Sequence, residues 1–384
     1  MTKKRIAVLG STGSIGRNTL KVIEDHAGRF EVAALTAFNN TVVMEAQIRQ
    51  FKPRYVAMAA DNIQRLARKY PDVKFYDARR DIPEIVSLKD VDVVVIAVTG
   101  AAGLAPFLAA ARAGKVIAPA NKEALVMAGD IIMHEVRRHG AAVIPVDSEQ
   151  SAIFQCLEGR AIKDVRCIHL TASGGPLRDV PRNRHDRYKI KDILAHPRWD
   201  MGVKITVDSA TMMNKGFEVI EAQRLFGVGV RQISVLVHPE AVVHSMVELN
   251  DGAVLAQLGV TDMRLPIQYA MTYPERWPTG TKRLDLASLG QLTFAKPDLD
   301  RFPSLALAYE AARLAGTIPA VLNAANEVAV DAFLRERISF TGMHTIVEKV
   351  VLKQRNIRKP GLEDIEQADT AGRVRAAEYI ERLT

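Results

Sequence analysis

Arg5-Ile-Ala-Val-Leu9 runs without a break into Gly10-Ser11-Thr12-Gly13-Ser14-Ile15-Gly16, and this stretch decides how the chain is read. A short apolar run, a glycine-rich turn, and then Ile15, Thr19, Val22 and Ile23 on one helical face describe a strand–turn–helix unit. Glycine permits the tight turn and lets backbone N–H groups approach a pyrophosphate, which the positive end of the following helix attracts. The spacing is G-x-x-G-x-x-G rather than G-x-G-x-x-G, so the context carries the dinucleotide-binding reading more than the glycines do. Working outward, Glu31–Thr36, Val91–Val98, Lys115–Pro119 and Ala142–Pro145 read as further strands. Helical patterns at Ala105–Ala113 and Ala128–Arg138, closed by Gly114 and Gly140, lie among them. The alternation predicts an α/β protein whose N-terminal part is a doubly wound, Rossmann-like parallel sheet.

The second strand leads into Thr36-Ala37-Phe38-Asn39-Asn40. Folds that bind NAD usually hold the ribose hydroxyls with Asp or Glu at this point. No carboxylate stands here to repel a ribose phosphate, which favours NADP. The loop equally carries no Lys or Arg to match that phosphate, and Arg17 has no position assigned by the sequence.

The chain has 384 residues, 48% apolar and 25% charged, enough for a large core in two or three domains. The 52 Lys plus Arg exceed the 44 Asp plus Glu by only eight, which fits an anionic small substrate as well as nucleic acid. No basic arm and no Lys/Arg stripe interleaved with aromatics is visible, which argues against nucleic acid as a partner. Cys156 and Cys167 cannot form a disulfide framework or a cysteine-based zinc site, and both read as inert core thiols of a reducing compartment. No apolar run spans a bilayer and no signal-peptide pattern precedes the first strand, so a cytoplasmic protein without a membrane partner is expected.

Beyond Asp147 the pattern changes. Val165, Cys167, His169 and Thr171 alternate with Arg166, Ile168 and Leu170 as in a half-buried strand. Val242–Leu249 and Ala253–Leu258 flank Asn250-Asp251-Gly252, a hairpin signal. This middle part reads as α+β with its own sheet. Tyr273–Pro303 is rich in Pro and Gly and reads as a connector. From Ser304 only helical patterns remain: one stopping near Gly316, one over Ala320–Leu334, and a last one starting near Thr370 as its cap. The expected boundaries are 1–147 for nucleotide binding, 148–272 for catalysis, 273–303 for the connector and 304–384 for a C-terminal helical bundle.

Two polar concentrations stand out. Loops after the parallel strands place Lys122, Asp147 and Glu149 on the ligand side of the sheet. Asp147 and Glu149, two apart on an extended segment, can share a hard cation such as Mg²⁺ or Mn²⁺, or can be a solvated acidic turn. The second concentration runs from His196 through Trp199 and Met201-Gly202 to Asp208-Ser-Ala-Thr-Met-Met-Asn-Lys-Gly-Phe-Glu218. Ser, Asn and Lys suit a phosphate, with neutral donors and one point charge. Glu218 or Glu221 can complete a metal site, although Glu221 reads as a surface charge. Ser173-Gly174-Gly175-Pro176 is another anion-cradle loop, and the basic, aperiodic segment after it, about 173–203, reads as a mobile flap. His238 and His244 read as hydrogen-bonded core or rim residues, and Met212 and Met213 as packing.

Taken together these motifs resemble the 1-deoxy-D-xylulose 5-phosphate reductoisomerase family over essentially the whole chain. The resemblance runs through Gly10–Gly16, Ala120-Asn-Lys-Glu123, Pro145-Val-Asp-Ser-Glu149, Ser173-Gly-Gly-Pro176, His196-Pro197, Asp208–Gly216, Val237-His-Pro239 and Leu322-Asn-Ala-Ala-Asn-Glu327. It implies a V-shaped, three-domain homodimer that rearranges a ketose phosphate and reduces the resulting aldehyde with NADPH. It implies a divalent ion (Mg²⁺ or Mn²⁺, with Co²⁺ also possible) on Asp147, Glu149 and Glu218, with Lys122 beside it. The implied substrate contacts are Lys122, Ser148, Glu149, Ser173, His196, Ser209, Asn214, Lys215 and Glu218. The implied NADPH contacts are Thr12, Gly13, Ser14, Ile15, Asn40, Asn121, Glu123 and Gly202, with Trp199 and Met201 on the flap. Phe38-Asn39 stand where many members carry Gly-Lys or Gly-Arg. Two other readings compete: an NADP-linked oxidoreductase that reduces without rearrangement or metal, and a non-catalytic NADP sensor with a helical dimerisation tail.

Overall fold

The computed structural model describes residues 3–199 and 201–382; Asp200, inside the segment read as a flap, lies outside them. The chain divides into two compact units. The first comprises the residues up to Ala124, Ile132–Ser151 and Asp262–Lys282; the second comprises Leu125–Ile131, Ala152–Thr261 and the residues from Arg283 onward.

The first unit is built on a seven-stranded sheet. Its strands are β1 (Lys4–Leu9), β2 (Phe30–Thr36), β3 (Tyr55–Met58), β4 (Lys74–Asp77), β5 (Val93–Ile96), β6 (Val116–Pro119) and β7 (Ala142–Val143). They lie in the order β4-β3-β2-β1-β5-β6-β7, every pair parallel. The predicted doubly wound sheet is therefore present. Parallel strands covered on both faces are apolar throughout, and Ile6 to Leu9 and Val93 to Ile96 are fully buried. β3 and β4 escaped the sequence reading; β4, Lys74-Phe-Tyr-Asp77, carries a charge at each end and so shows no apolar run. Arg264–Thr272 and the residues after it as far as Lys282 belong to this unit, and the rest of the stretch read as a connector belongs to the second. His26, Phe30 and Trp277 form an aromatic cluster, and Lys4 Nζ donates to the Met271 carbonyl at 3.0 Å.

The second unit carries a four-stranded mixed sheet of β8 (Val165–Ala172), β9 (Ile233–Val237), β10 (Val243–Leu249) and β11 (Val254–Leu258), in the order β11-β10-β8-β9. The predicted hairpin is β10–β11, turned by Gly252 at φ +87°. Ile168 and Leu170 enter one core with Phe217, Val219 and Ile220 and with the later helices Pro303–Leu314, Ile318–Leu334, Phe340–Leu352 and Leu362–Glu381. The last helix starts at Leu362, not near Thr370. Asp364 accepts from the Gly361 N–H at 2.8 Å and caps it there, while Thr370 bonds back to the Glu366 carbonyl inside the helix.

Cys156 is buried and its thiol is pushed up to about 11 by burial. Cys167 is only half-buried, which corrects its reading as a core thiol. It shares a sheet face with its cross-strand partner Glu248 and with His169.

Candidate active site

In the first unit the glycine turn follows β1, and the helix Ser14–Asp25 starts from Gly13. A β-carbon on Gly10, at φ +78°, would sit 2.5 Å from the Ala97 carbonyl oxygen. One on Gly16 would sit 2.4 Å from the Gly10 carbonyl oxygen. These glycines are therefore required by close backbone approach. Ser11 is locked by Gln47, which accepts from its hydroxyl at 2.7 Å and donates to its carbonyl at 2.8 Å. Gly13 and Ser14 are exposed at the helix N-terminus, and Thr12 and Ile15 are half-buried beside them. Asn40 caps Thr41–Phe51 by accepting from the Val43 N–H at 3.1 Å.

Three further loops leave the carboxyl ends of β5, β6 and β7. Asn121 ties two of them: its amide donates to the carbonyls of Val98 and Gly100 at 2.8 and 2.9 Å, and its oxygen caps the helix Lys122–His139. Lys122 and Glu123 are buried in that helix's first turn. The Lys122 ammonium forms an ion pair with Asp147, and the two side chains are 6% and 11% exposed. The helix Ser148–Leu157 begins immediately after Asp147, and Ser148 donates to Glu149 at 2.5 Å. A low-dielectric rim thus holds a lysine against one carboxylate, with a second carboxylate two residues on.

In the second unit Glu218 is 1% exposed, and Asn214 and Lys215 are among the groups that hold it. Asn214 donates to one oxygen at 2.6 Å, and the Lys215 ammonium pairs with the other. All three lie on the helix Met213–Phe226, at the i, i+3 and i+4 spacings that put them on one face. The preceding helix Val203–Thr211 is broken from it at Met212, which adopts φ +60°. That left-handed residue turns the chain so that Ser209 and Asn214 flank the break. The Ser173 loop lies against the same place, since a β-carbon on Gly175, at φ +69°, would meet the Ser209 carbonyl oxygen at 2.6 Å. Ser173 Oγ and His196 Nε2 are 3.1 Å apart, and His196 Nδ1 accepts from the N–H groups of Arg198 and Trp199. Trp199 is half-buried, with its ring 6.2 Å from that of His244. Met201 is half-buried, and Gly202 is the exposed residue preceding Val203–Thr211.

Two readings change. Glu221 is 1% exposed, not a surface charge, because Met213–Phe226 is enclosed nearly all round: Gly216 leaves only 2.3 Å between its would-be β-carbon and Ala308. Asn326 also takes a structural role that no pattern in the sequence assigns it. Its amide donates to Asp208 at 2.8 Å, and Lys204 pairs with the other oxygen of that buried carboxylate. The matched run Leu322–Glu327 therefore braces the helix that carries Ser209. Only the appearance of both runs in one family pointed to such a link.

Models of known families match nearly all of the chain. The one described as 1-deoxy-D-xylulose 5-phosphate reductoisomerase covers residues 6–129, its C-terminal domain covers 143–226, and a DXP reductoisomerase C-terminal domain covers 258–375. The chain is 50% identical to the 1-deoxy-D-xylulose 5-phosphate reductoisomerase of Geobacter metallireducens over 98% of its own length and 99% of the relative's. It is likewise 50% identical to the enzyme of that name from Pelotomaculum thermopropionicum, over 99% of each. Among solved structures it resembles a DOX-P reductoisomerase in complex with NADPH, fosmidomycin and magnesium, with TM-score 0.93 and 42% identity over 98% of both chains. The Zymomonas mobilis enzyme in complex with NADPH gives TM-score 0.92 and 40% identity, over 99% of this chain and 100% of that one.

Proposed function

The chain belongs to the 1-deoxy-D-xylulose 5-phosphate reductoisomerase family, and from that premise we propose which of its side chains carry the reaction. The reaction is the NADPH- and divalent-metal-dependent rearrangement and reduction of 1-deoxy-D-xylulose 5-phosphate to 2-C-methyl-D-erythritol 4-phosphate. The observation that carries the assignment is the buried Lys122–Asp147 pair at the carboxyl edge of the parallel sheet, with Glu149 beside it.

Asp147, Glu149 and Glu218 hold the divalent ion, a hard oxygen set that suits magnesium or manganese. Bound there, the ion supplies Lewis acidity to the substrate's neighbouring oxygens. Lys122 pairs with Asp147 and adds fixed positive charge next to those oxygens. Ser173, Ser209, Asn214 and Lys215 take the phosphate, and that anchored end orients the reacting end, which Ser148, Glu149 and Glu218 contact. His196, already tied to Ser173 and to the backbone of 198 and 199, positions substrate rather than moving a proton. Trp199 and Met201 cover the site and exclude water. Thr12, Gly13, Ser14 and Ile15 receive the pyrophosphate of NADPH, which supplies the hydride, while Asn40, Asn121, Glu123 and Gly202 complete its contacts. The fit of the glycine turn is supported by the absence of room for any β-carbon at Gly10 and Gly16.

The working form is a homodimer in the cytoplasm. The family resemblance supports the dimer, and two unbridged cysteines fit a reducing compartment. Among the described residues no helix is long and apolar enough to cross a membrane.

The test is NADPH oxidation with 1-deoxy-D-xylulose 5-phosphate before and after chelation of divalent ions. Oxidation that stops on chelation and returns with magnesium is the expected result. Undiminished turnover in the metal-free enzyme would remove the carboxylate assignment and favour an oxidoreductase that reduces without rearrangement.

A further inference from the structure

The loop after β2 lacks any cation for a ribose phosphate, yet the structure brings one to it from elsewhere. β2, β3 and β4 are adjacent and parallel, so the loops that follow them leave one edge of the sheet. Hydrogen bonds lace these loops together. Ala37 donates to the Ala57 carbonyl at 3.0 Å, Ala59 to the Phe38 carbonyl at 3.1 Å, and Ala78 to the Met58 carbonyl at 2.8 Å. Arg79, just beyond β4, lies over the ring of Phe38 with its guanidinium carbon 5.2 Å from the ring centroid.

Two details set Arg79 apart from its neighbours. Arg80 is committed to Asp77 at 3.5 Å, and Arg17 donates from Nε to the Thr12 carbonyl at 2.9 Å. Arg79 receives only a backbone tether, its N–H donating to Asp77 at 2.9 Å. Among the described residues no carboxylate pairs with its guanidinium. Phe38 is 47% exposed, an apolar platform open on a polar rim. A guanidinium stacked on an aromatic face keeps its in-plane N–H donors directed outward, the geometry that takes a phosphate bidentately. In this fold the end of the second strand is where the adenosine ribose is read.

We propose that Arg79, seated on Phe38, is the cation that receives the 2′-phosphate of NADPH and sets the preference for NADPH over NADH in this chain. The inference rests on the NADPH-dependent reading above. It explains how a loop with Phe38-Asn39 serves a phosphorylated ribose: the charge comes from the loop two strands away, and the β2 loop supplies the surface it rests on.

The experiment is isothermal titration of the wild-type chain, Arg79→Ala, Arg79→Lys and Arg17→Ala with NADPH, NADH, adenosine 2′,5′-bisphosphate and adenosine 5′-monophosphate. Loss of one charge-assisted phosphate contact should weaken NADPH and the bisphosphate by roughly ten- to hundred-fold in Arg79→Ala. NADH and the monophosphate should bind that variant as they bind wild type, which also shows that it is folded. Arg79→Lys should fall between the two, and Arg17→Ala should keep the wild-type ratio. An unchanged NADPH-to-NADH ratio in Arg79→Ala overturns the proposal, as does a ratio lost in Arg17→Ala instead. Wild-type protein that binds neither dinucleotide would overturn the reductase reading itself, a result distinct from failure of the Arg79 assignment.

Discussion

Two lysine–carboxylate pairs sit in the two units of this protein, and they are made in opposite ways. Lys215 and Glu218 are three residues apart on one helix, so local geometry brings them together before any tertiary structure exists. Lys122 and Asp147 meet because β6 and β7 are neighbours in a parallel sheet, whose following loops emerge at one edge. They also differ in depth. Glu218 is 1% exposed on its side chain, whereas Asp147 is 11% exposed at a rim. A fully enclosed carboxylate depends on its partner more than a rim carboxylate does, because water cannot replace what is lost. The local pair should therefore behave as a buried unit, and the topological pair as an adjustable one.

The largest effect expected from this contrast is on turnover. Glu218→Gln keeps the size and the Asn214 contact but removes the charge. If Glu218 is a metal ligand, turnover should fall by about a thousandfold or more while NADPH binding is unchanged. Steady-state kinetics with saturating magnesium, alongside NADPH titration, separates the two. Activity near wild type would leave Glu218 as a buried structural acid and reduce the contrast to one of packing.

A smaller effect should divide the two lysines. Lys215→Ala exposes its loss at the phosphate end, so KM should rise about tenfold or more with a lesser change in kcat. Lys122→Ala acts beside the reacting oxygens, so kcat should carry most of the loss. Stability should rank the same way as depth: Lys215→Ala, which strands an enclosed carboxylate, should cost about 3 kcal/mol, and Lys122→Ala less. Urea unfolding of each variant checks the order. If Lys122→Ala costs as much as Lys215→Ala, the rim pair is as enclosed in effect as the helical one, and the depth argument fails.

The same division between local and topological contacts explains what was legible in the sequence. The glycine turn, the β10–β11 hairpin and the Ser209–Glu218 run were readable because each is written in neighbouring residues. Strands β3 and β4 were not, since Tyr55–Met58 and Lys74–Asp77 are strands mainly by virtue of the neighbours they pair with. The cap at Gly361 was missed because Thr370 offered a better isolated signal than a glycine whose N–H is bonded by Asp364. The burial of Glu221 depends on the packing of Gly216 against Ala308, and the brace from Asn326 to Asp208 joins residues 118 apart in the chain. Arg79 belongs to this second class too: nothing near Phe38 in the sequence points to it, and only the sheet order makes them neighbours.

The Arg5–Asp92 pair marks the exposed end of this scale. It too is topological, joining β1 to the residue before β5, and it is well formed: Nη2 meets one oxygen at 2.7 Å, while Nε and the Arg5 backbone N–H meet the other at 3.0 and 2.8 Å. Yet its side chains are 32% and 38% exposed, so solvent screens it and it should contribute little. The Arg5 guanidinium holds the Asp92 carboxyl below its ordinary value of 3.8, against partial burial, and the Arg5 N–H adds to the effect. A depressed carboxylate pKa gives stability that is present above the unfolded-state value and is lost as pH falls through the folded one. Asp92→Asn should therefore be slightly less stable than wild type near neutrality, and the gap should narrow below about pH 4. Paired urea melts at neutral and acid pH measure it. A gap that stays constant as the pH falls would mean that the hydrogen-bond geometry, not the charge, carries this pair, and that exposure is the wrong axis on which to rank the three.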